Sequence, residues 1–399
     1  MRAKHGVMAA IAAFAATVAS AASITVDRVA QRWPWNNKVD ITYTVDGGQD
    51  VALGVYARIV FTANIGGAIY TIDGVHDIGA NASNGTHTVT WTLPSGVRAT
   101  GCTMTAQLLT ADNPSGDDYM VIDLDSNNRA TAVSYEGILA SQSASNARYA
   151  SDDTYKKSKL VLRKVPAGGL YRTGHANYHN KASYADSAID RTTTCAYYIG
   201  IFPVTQYQYT KLCNASATDS TLPNTGINWN TLRASAATAA QIPSVDSDTG
   251  SFFQRLNYKT GLYFDLPTEV MFEIAMRAGS TTVFYWGDDW NGDKVNYNSS
   301  GYEAVGLRDS NDWGLYNMVD NPIEVLRDNQ DPADLATLSD PFVPSTFSSA
   351  NRVLRGGAFN SDGKAFRFHA SYRNDGGTGA TSSASAMGAI GFRVACIIK

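Results

Sequence analysis

The segment from Arg352 to Lys399 places the tightest constraint on how this chain folds. It opens with Arg352-Val353-Leu354-Arg355-Gly356-Gly357-Ala358-Phe359 and closes with Gly391-Phe392-Arg393-Val394-Ala395-Cys396-Ile397-Ile398. In both stretches β-branched and aromatic residues alternate with arginine, which predicts buried strands, and the glycine pair permits close backbone approach. Between them, Asn374 to Ala389 is almost entirely Asn, Asp, Gly, Thr, Ala and Ser, without strand or helix periodicity. Such a run buries too little apolar surface to form an element, so it reads as a surface loop held between two strands. It is either a tolerated connection or a binding face carried on a rigid scaffold.

The 399 residues, 44% hydrophobic and 11% aromatic, suffice for two ordinary domains. A formal net charge of -4 supplies no basic field and argues against nucleic acid as a partner. Seven Trp and 21 Tyr in a chain only 17% charged suit extracellular recognition, although buried aromatics explain them equally well.

Residues 1–22 read as a secretory signal peptide: Arg2, Lys4 and His5, an apolar run from Met8 to Val18, then small residues at Ala19-Ser20-Ala21. The apolar run is too short to span a bilayer and no later stretch could, so the mature protein is expected to be exported without a membrane span: secreted, periplasmic or at the cell surface. Cys102, Cys195, Cys213 and Cys396 form no CxxC pair, which argues against zinc and against a redox dithiol.

From residue 23 to 124 the chain reads as an all-β, immunoglobulin-like sandwich. Val39, Ile41, Tyr43 and Val45 alternate with polar residues, as do Val89, Trp91 and Leu93, and Met104, Ala106 and Leu108. Turn signals such as Asp46-Gly47-Gly48 and Asn84-Gly85 separate the runs. His76 and His87 stand alone and read as surface histidines, and Asp117 and Asp118 suit a solvated loop better than a calcium site. Residues 125–157, rich in Ser, Ala and Asn, read as a linker.

Residues 158–399 form the second domain. Tyr197 to Val204 predicts a strand, and Thr205 with Gln208 three residues on predicts a capping box for a helix through Tyr209 and Leu212. Further helices are expected from Ser251 to Tyr258 and from Pro267 to Gly279, with Thr268 as cap and Gly279 as stop. On the last helix Glu269, Glu273 and Arg277 are spaced by four, so they share one face. That face could cross-tie neighbouring loops through arginine–carboxylate bonds.

Several motifs of this second domain occur in one order: Ile199-Gly200-Ile201-Phe202-Pro203-Val204-Thr205-Gln206, Leu266-Pro267-Thr268-Glu269, Trp286-Gly287-Asp288, Gly314 to Asn321 followed by Glu324, Arg355-Gly356-Gly357, and Gly391-Phe392-Arg393. Together they resemble the formylglycine-generating-enzyme (sulfatase-modifying factor) family over roughly Leu160 to Ile398. The resemblance implies an irregular α+β fold of the C-type-lectin kind with calcium as a structural ion. It assigns Asn321 and Glu324 to a calcium site, although Asp320 stands where the family usually has Gly and Val325 where it usually has Trp. A second family site at Asn296 and the Tyr297 carbonyl is not expected, because the following segment is shortened to Ser299-Ser300-Gly301. Terminal strands of such domains lie side by side, which implies that Cys195 and Cys396 approach bridging distance.

Catalytic members of that family bind copper through two cysteines placed shortly after the Gly-Gly motif. Here Ser361 stands at the first position and Ala365 or Phe366 at the second, and Ala358 replaces the usual serine. Hydroxyl and carbonyl oxygens replace thiolates poorly for soft Cu(I), so copper and the oxidase activity are not expected. His369 alone reads as structural rather than as a metal ligand. A related group with this fold comprises the variable proteins of diversity-generating retroelements, in which adenine-directed mutagenesis rewrites loop positions ahead of a terminal Gly-Phe-Arg. Residues 360–389 resemble that output, with Arg367, Tyr372 and Arg373 as scaffold.

The expectation is therefore an exported, non-catalytic ligand-binding protein that displays a diversifiable loop to an extracellular protein or glycan. Its expected ligand-binding residues are Asn360, Ser361, Asp362, His369, Asn374, Asp375, Thr378, Thr381, Ser383 and Ser385. The alternatives are a formylglycine-generating-type oxidase with an altered metal site, and a cell-envelope protein with a purely structural role.

Overall fold

The computed structural model describes residues 23–32, 36–46, 57–73, 84–110, 118–127, 129–174, 188–193, 195–215, 220–234, 243, 248–329, 352–359, 365–373 and 390–398. The signal-peptide expectation for residues 1–22 lies outside them.

The N-terminal part is all-β. Strands β1 (Ser23–Gln31), β2 (Lys38–Asp46), β3 (Ala57–Ile65), β4 (Ala68–Asp73), β5 (Gly85–Thr92) and β6 (Thr103–Thr110) form two antiparallel sheets, ordered β1-β2-β5 and β4-β3-β6. The alternation seen in the sequence is the alternation of burial: Val39, Ile41, Tyr43 and Val45 point into one core with Ile59, Phe61, Val89, Trp91 and Leu93. Thr42, Thr44, Thr86 and Thr88 line the opposite face of β2 and β5 as cross-strand hydroxyl pairs. His87 lies beside Tyr43, 5.4 Å between ring centroids.

The second unit begins earlier than expected. Strand β7 (Tyr119–Asp123), helix α1 (Arg129–Ala132), strand β8 (Val133–Glu136) and helix α2 (Gln142–Ser151) are followed by β9 (Lys159–Val165), β10 (Leu170–Thr173), β11 (Ile189–Thr192) and β12 (Ala196–Gly200). Helices α3 (Gln206–Cys213), α4 (Trp229–Arg233), α5 (Phe252–Thr260) and α6 (Glu269–Arg277) come next, then β13 (Ile323–Asn329), β14 (Arg352–Arg355), β15 (Ile390–Gly391) and β16 (Ala395–Ile398). The central sheet runs β16-β12-β9-β7-β8. Strand β7 is therefore an inner strand of the second unit and not the end of the sandwich. Residues 125–157 are not a linker, because Tyr149 and Tyr155 of that stretch are buried in the second unit's core. Small residues gave the stretch a linker's composition, but in α2 they let the helix seat closely: Ser145 is fully buried and its hydroxyl accepts from Leu139 N.

Two apolar cores cover the two faces of this sheet, and strand alternation sorts residues between them. Tyr119, Val121, Val161, Tyr197, Ile199 and Ile397 face one core with α6. Met120, Ile122, Leu160, Leu162, Tyr198 and Cys396 face the other with α3, α4 and α5. The helix signals hold where they are local. Thr205 and Gln208 form the expected capping box, Ser251 and Gln254 another, and Thr268 caps α6. Helix α6 ends on Ala278 at φ 48°, followed by Gly279 at φ 90°.

The proposed proximity of Cys195 and Cys396 is corrected by register. Tyr198 pairs with Cys396, and Ala196 with Ile398, so Cys195 lies beyond that pairing. The two cysteines also sit in different cores, on opposite faces of the sheet. None of the four cysteines is joined by a disulfide.

Candidate functional site

The frame around residues 360–389 is built on the single strand β13. Strand β14 pairs with it antiparallel, Glu324 opposite Arg355, and β15 pairs with it in parallel, Glu324 opposite Gly391. Both ends of the 352–393 stretch thus meet at one residue, Glu324. The closing stretch is not the one continuous strand the sequence suggests. Strands β15 and β16 belong to different sheets, and Phe392-Arg393-Val394 crosses between them fully buried.

Each end is pinned by arginine. At the opening end, Glu269 and Glu273 lie one turn apart on the buried face of α6. Arg373 grips Glu269 with two bonds, Nε to Oε1 at 2.7 Å and Nη2 to Oε2 at 2.5 Å. Arg355 donates to Glu273, to Tyr372 O at 2.7 Å and to Ala370 O at 3.1 Å. Arg277 donates Nε to Glu273 Oε1 at 2.9 Å, the i, i+4 pair foreseen from spacing. Burial pushes the Glu273 carboxyl up, but the charges of Arg355 and Arg277 outweigh it and hold the group below the usual carboxylate range. A backbone bridge between Arg355 and Arg373 closes the loop base.

At the closing end, Arg393 sends Nε and Nη2 to Glu324, Nη1 to Gly200 O at 2.9 Å, and Nη2 also to the carbonyls of Tyr316 and Asn317. Its neighbour Phe392 stands edge-on to Phe252, 5.0 Å between ring centroids, and also contacts Phe253 and Tyr209. The glycines of the frame fit their places by lacking a side chain. Gly356 adopts φ 78°, and a Cβ on Gly357 would lie 2.6 Å from Val319 O and 2.4 Å from the Phe368 ring.

Of the expected ligand-binding residues, only His369 lies among the described ones. Asn360, Ser361, Asp362, Asn374, Asp375, Thr378, Thr381, Ser383 and Ser385 lie outside them. His369 sits in the turn after Ala365–Phe368, edge-on to Phe284 at 5.0 Å, which ties it to the aromatic cluster of Phe284, Trp286 and Trp290.

Asn321 and Glu324 do not fit a calcium ion held by their side chains. The Asn321 amide is used at both ends by Glu303: Oδ1 accepts from Glu303 N at 2.9 Å and Nδ2 donates to Glu303 O at 2.7 Å. The Glu324 carboxylate faces the Arg393 guanidinium, so the positive charge at this spot is already a side chain. Calcium takes several convergent oxygens, and these two point to different partners. Asp320, the departure from the family glycine, accepts from Asn296 N at 2.8 Å and from Asn317 Nδ2 at 3.0 Å. Burial pushes its carboxyl up to about 6.

Burial pushes Cys213 up to about 11 and Cys396 up to about 12, away from the thiolate. Phe366, one of the two candidates for the second cysteine position, is an exposed phenyl ring at 38%.

A long-range feature was only half legible in the sequence. Trp229 lies between two guanidiniums, Arg233 at 4.4 Å and Arg352 at 4.0 Å from its ring centroid, and Arg233 is fully buried against Asp265 through two 2.7 Å bonds. The Trp229–Arg233 half of the stack is an i, i+4 pair on α4, and only the approach of Arg352 is invisible to spacing.

The domain is a mixed α+β fold of mostly strands and few helices, in the class of formylglycine-generating-enzyme-like folds. The chain belongs to the family of the Sulfatase-modifying factor enzyme 1-like domain, which residues 153–398 match. Among solved structures it is similar to variable protein 1 of Treponema denticola, at 19% identity and TM-score 0.45, over 60% of this chain and 95% of that one. It is also similar to PvdO from Pseudomonas aeruginosa, at 18% identity and TM-score 0.47, over 59% of this chain and 94% of that one. The search of curated proteins gives no match.

Proposed function

We propose that this is an exported, non-catalytic ligand-binding protein whose C-terminal domain serves as a scaffold for residues 360–389. The observation that carries the reading is the double anchoring of the stretch: Arg355 and Arg373 on Glu273 and Glu269 of α6 at one end, Arg393 on Glu324 of β13 at the other. A frame fixed by buried ion pairs can tolerate change at those positions of the segment that do not pack inward, whereas Phe368 and Ala370 within it belong to the core and Arg373 is itself an anchor. The small polar composition of 374–389 suits such a segment. The sequence supports a non-catalytic role as well, since no cysteine stands between Cys213 and Cys396. The ligand class we propose is an extracellular protein or glycan.

The test is a saturation scan of 352–393 displayed on cells, scored for folding and for binding to arrayed glycans and surface proteins. Substitutions at Ser361, Asp362, Asn374, Asp375, Thr378, Thr381, Ser383 and Ser385 should shift stability by less than about 0.5 kcal/mol and still alter binding. Frame substitutions should destabilise the domain by far more, by about 1–5 kcal/mol. Insert substitutions that unfold the domain as readily as frame substitutions would sink the display reading. Stoichiometric Cu(I) binding with turnover of a cysteine peptide would favour the oxidase instead.

A further inference from the structure

A cavity of about 280 Å³ opens between the β10–β11 hairpin and the C-terminal end of α6. Part of its lining is apolar, from Leu170, Tyr171 and Ile274. The Tyr171 ring is held in place: it covers Gly169, where a Cβ would come within 2.3 Å of it, and it stands edge-on to Trp313 at 5.7 Å. The rest of the lining is polar, with Arg172, Asp190, Arg277 and the short side chains of Ser280 and Thr281.

Both arginines already have a carboxylate. Arg172 bonds Asp190 through Nε at 2.8 Å and Nη2 at 3.0 Å, and the buried Arg277 bonds Glu273. Arg277 is further fixed by the carbonyls of Thr282 and Gly174. The lining is therefore dense in donors and acceptors yet locally neutral. An anion would have to displace Asp190 or Glu273 from its arginine, and a cation would have to displace Arg172 from Asp190. Displacing Glu273 would leave the buried Arg277 charge without its partner, whereas Arg172 and Asp190 form an exposed, solvent-screened pair that neutralises itself. A neutral ligand bearing hydroxyls meets no such competition, because a paired guanidinium and carboxylate keep spare N–H groups and lone pairs. The volume lies at the low end for ligand sites, enough for one substituted six-membered ring and too small for an extended peptide.

We propose that this cavity binds a single neutral sugar ring. The ring's C–H surface would lie against Leu170, which shares its face of β10 with Arg172, and its hydroxyls would bond the Arg172–Asp190 pair, Ser280 and Thr281. None of the lining residues belongs to the 352–393 stretch, so the proposal stands apart from the display reading.

The test is saturation-transfer NMR on the full chain with neutral methyl glycosides of glucose, galactose, mannose and N-acetylglucosamine. Acetate, phosphate and methylammonium serve as charged controls. At least one glycoside should bind saturably with a dissociation constant on the order of 1–10 mM. Asp190→Ala and Ser280→Ala, both at accessible positions, should each weaken it by about tenfold or more while the melting temperature stays within a few degrees. Absence of saturable binding by all four glycosides would overturn the proposal. So would binding unchanged in both variants, or displacement of the glycoside by acetate or phosphate at equal concentration.

Discussion

Arg393 and Glu324 form a two-pronged buried pair. Nε and Nη2 of Arg393 donate to Oε2 and Oε1 at 2.8 and 2.6 Å, and both side chains are at most 1% exposed. Glu324 is also the residue across which Arg355 and Gly391 are paired from opposite sides of β13. One ion pair therefore locks the closing end of the frame to the strand that carries both ends. Removing either charge leaves the other buried without a counter-charge, which costs more than the pair itself contributes.

Glu324→Gln should lower stability by about 3–5 kcal/mol, to the same extent in calcium and in chelator. Thermal or urea melts in both buffers measure this. A loss seen only when calcium is present would restore Glu324 as an ion ligand.

The opening end should respond in a graded way. Glu273→Gln removes the charge that serves Arg355 and Arg277 together, and should cost roughly 3–5 kcal/mol. Gly357→Ala, whose Cβ would meet backbone Val319 O, should cost about 1–3 kcal/mol by overpacking. Phe392→Ala should cost about 3–5 kcal/mol. Urea midpoints decide each case, and a near-neutral Gly357→Ala would mean that the Val319 turn yields easily.

The second unit should need residues ahead of the family match. A fragment of residues 118–399 should fold, whereas a fragment of residues 153–399 should not, because the latter lacks β7, which β8 and β9 flank in the central sheet. Near-ultraviolet circular dichroism and limited proteolysis distinguish the two. A cooperative melt of the shorter fragment would show β7 to be dispensable.

Acidity separates two buried carboxyls by sign. Asp320 is raised to about 6 from 3.8, so the folded state holds its proton more tightly than the unfolded state. Its contribution is favourable below about pH 4 and is lost as pH rises to about 6, a swing of about 3 kcal/mol. Glu273 is lowered, so its contribution is present above the unfolded carboxylate range and is lost as pH falls through its folded value. In chelator, wild type minus Asp320→Asn should therefore lose relative stability between pH 4 and pH 6. A difference in melting free energy that is flat with pH would remove the assignment for Asp320.

Legibility followed distance along the chain. The caps Thr205–Gln208, Ser251–Gln254 and Thr268–Met271 each involve residues three apart, so propensity and spacing announce them. The alternation of β2 reports which face is wet and needs no knowledge of what covers the other. The pair Glu273–Arg277 is visible for the same reason. Composition misled at 125–157, where small residues that read as a linker instead let α2 pack closely on the core.

By itself the sequence determined the capped helices α3, α5 and α6, the all-β character of the first domain, the family of the second, and the need of Arg355 and Arg393 for buried partners. Only the tertiary structure decided who those partners are. Arg393 meets Glu324 across 69 positions of chain, Arg373 meets Glu269 across 104, and Arg393 reaches Gly200 O across 193. It also decided that Asn321 turns to Glu303, and that Cys195 and Cys396 face opposite cores. A guanidinium can satisfy its donors with any carboxylate or carbonyl the fold brings near, and which of them arrives is set by sheet register and helix packing, to which no short window of sequence has access.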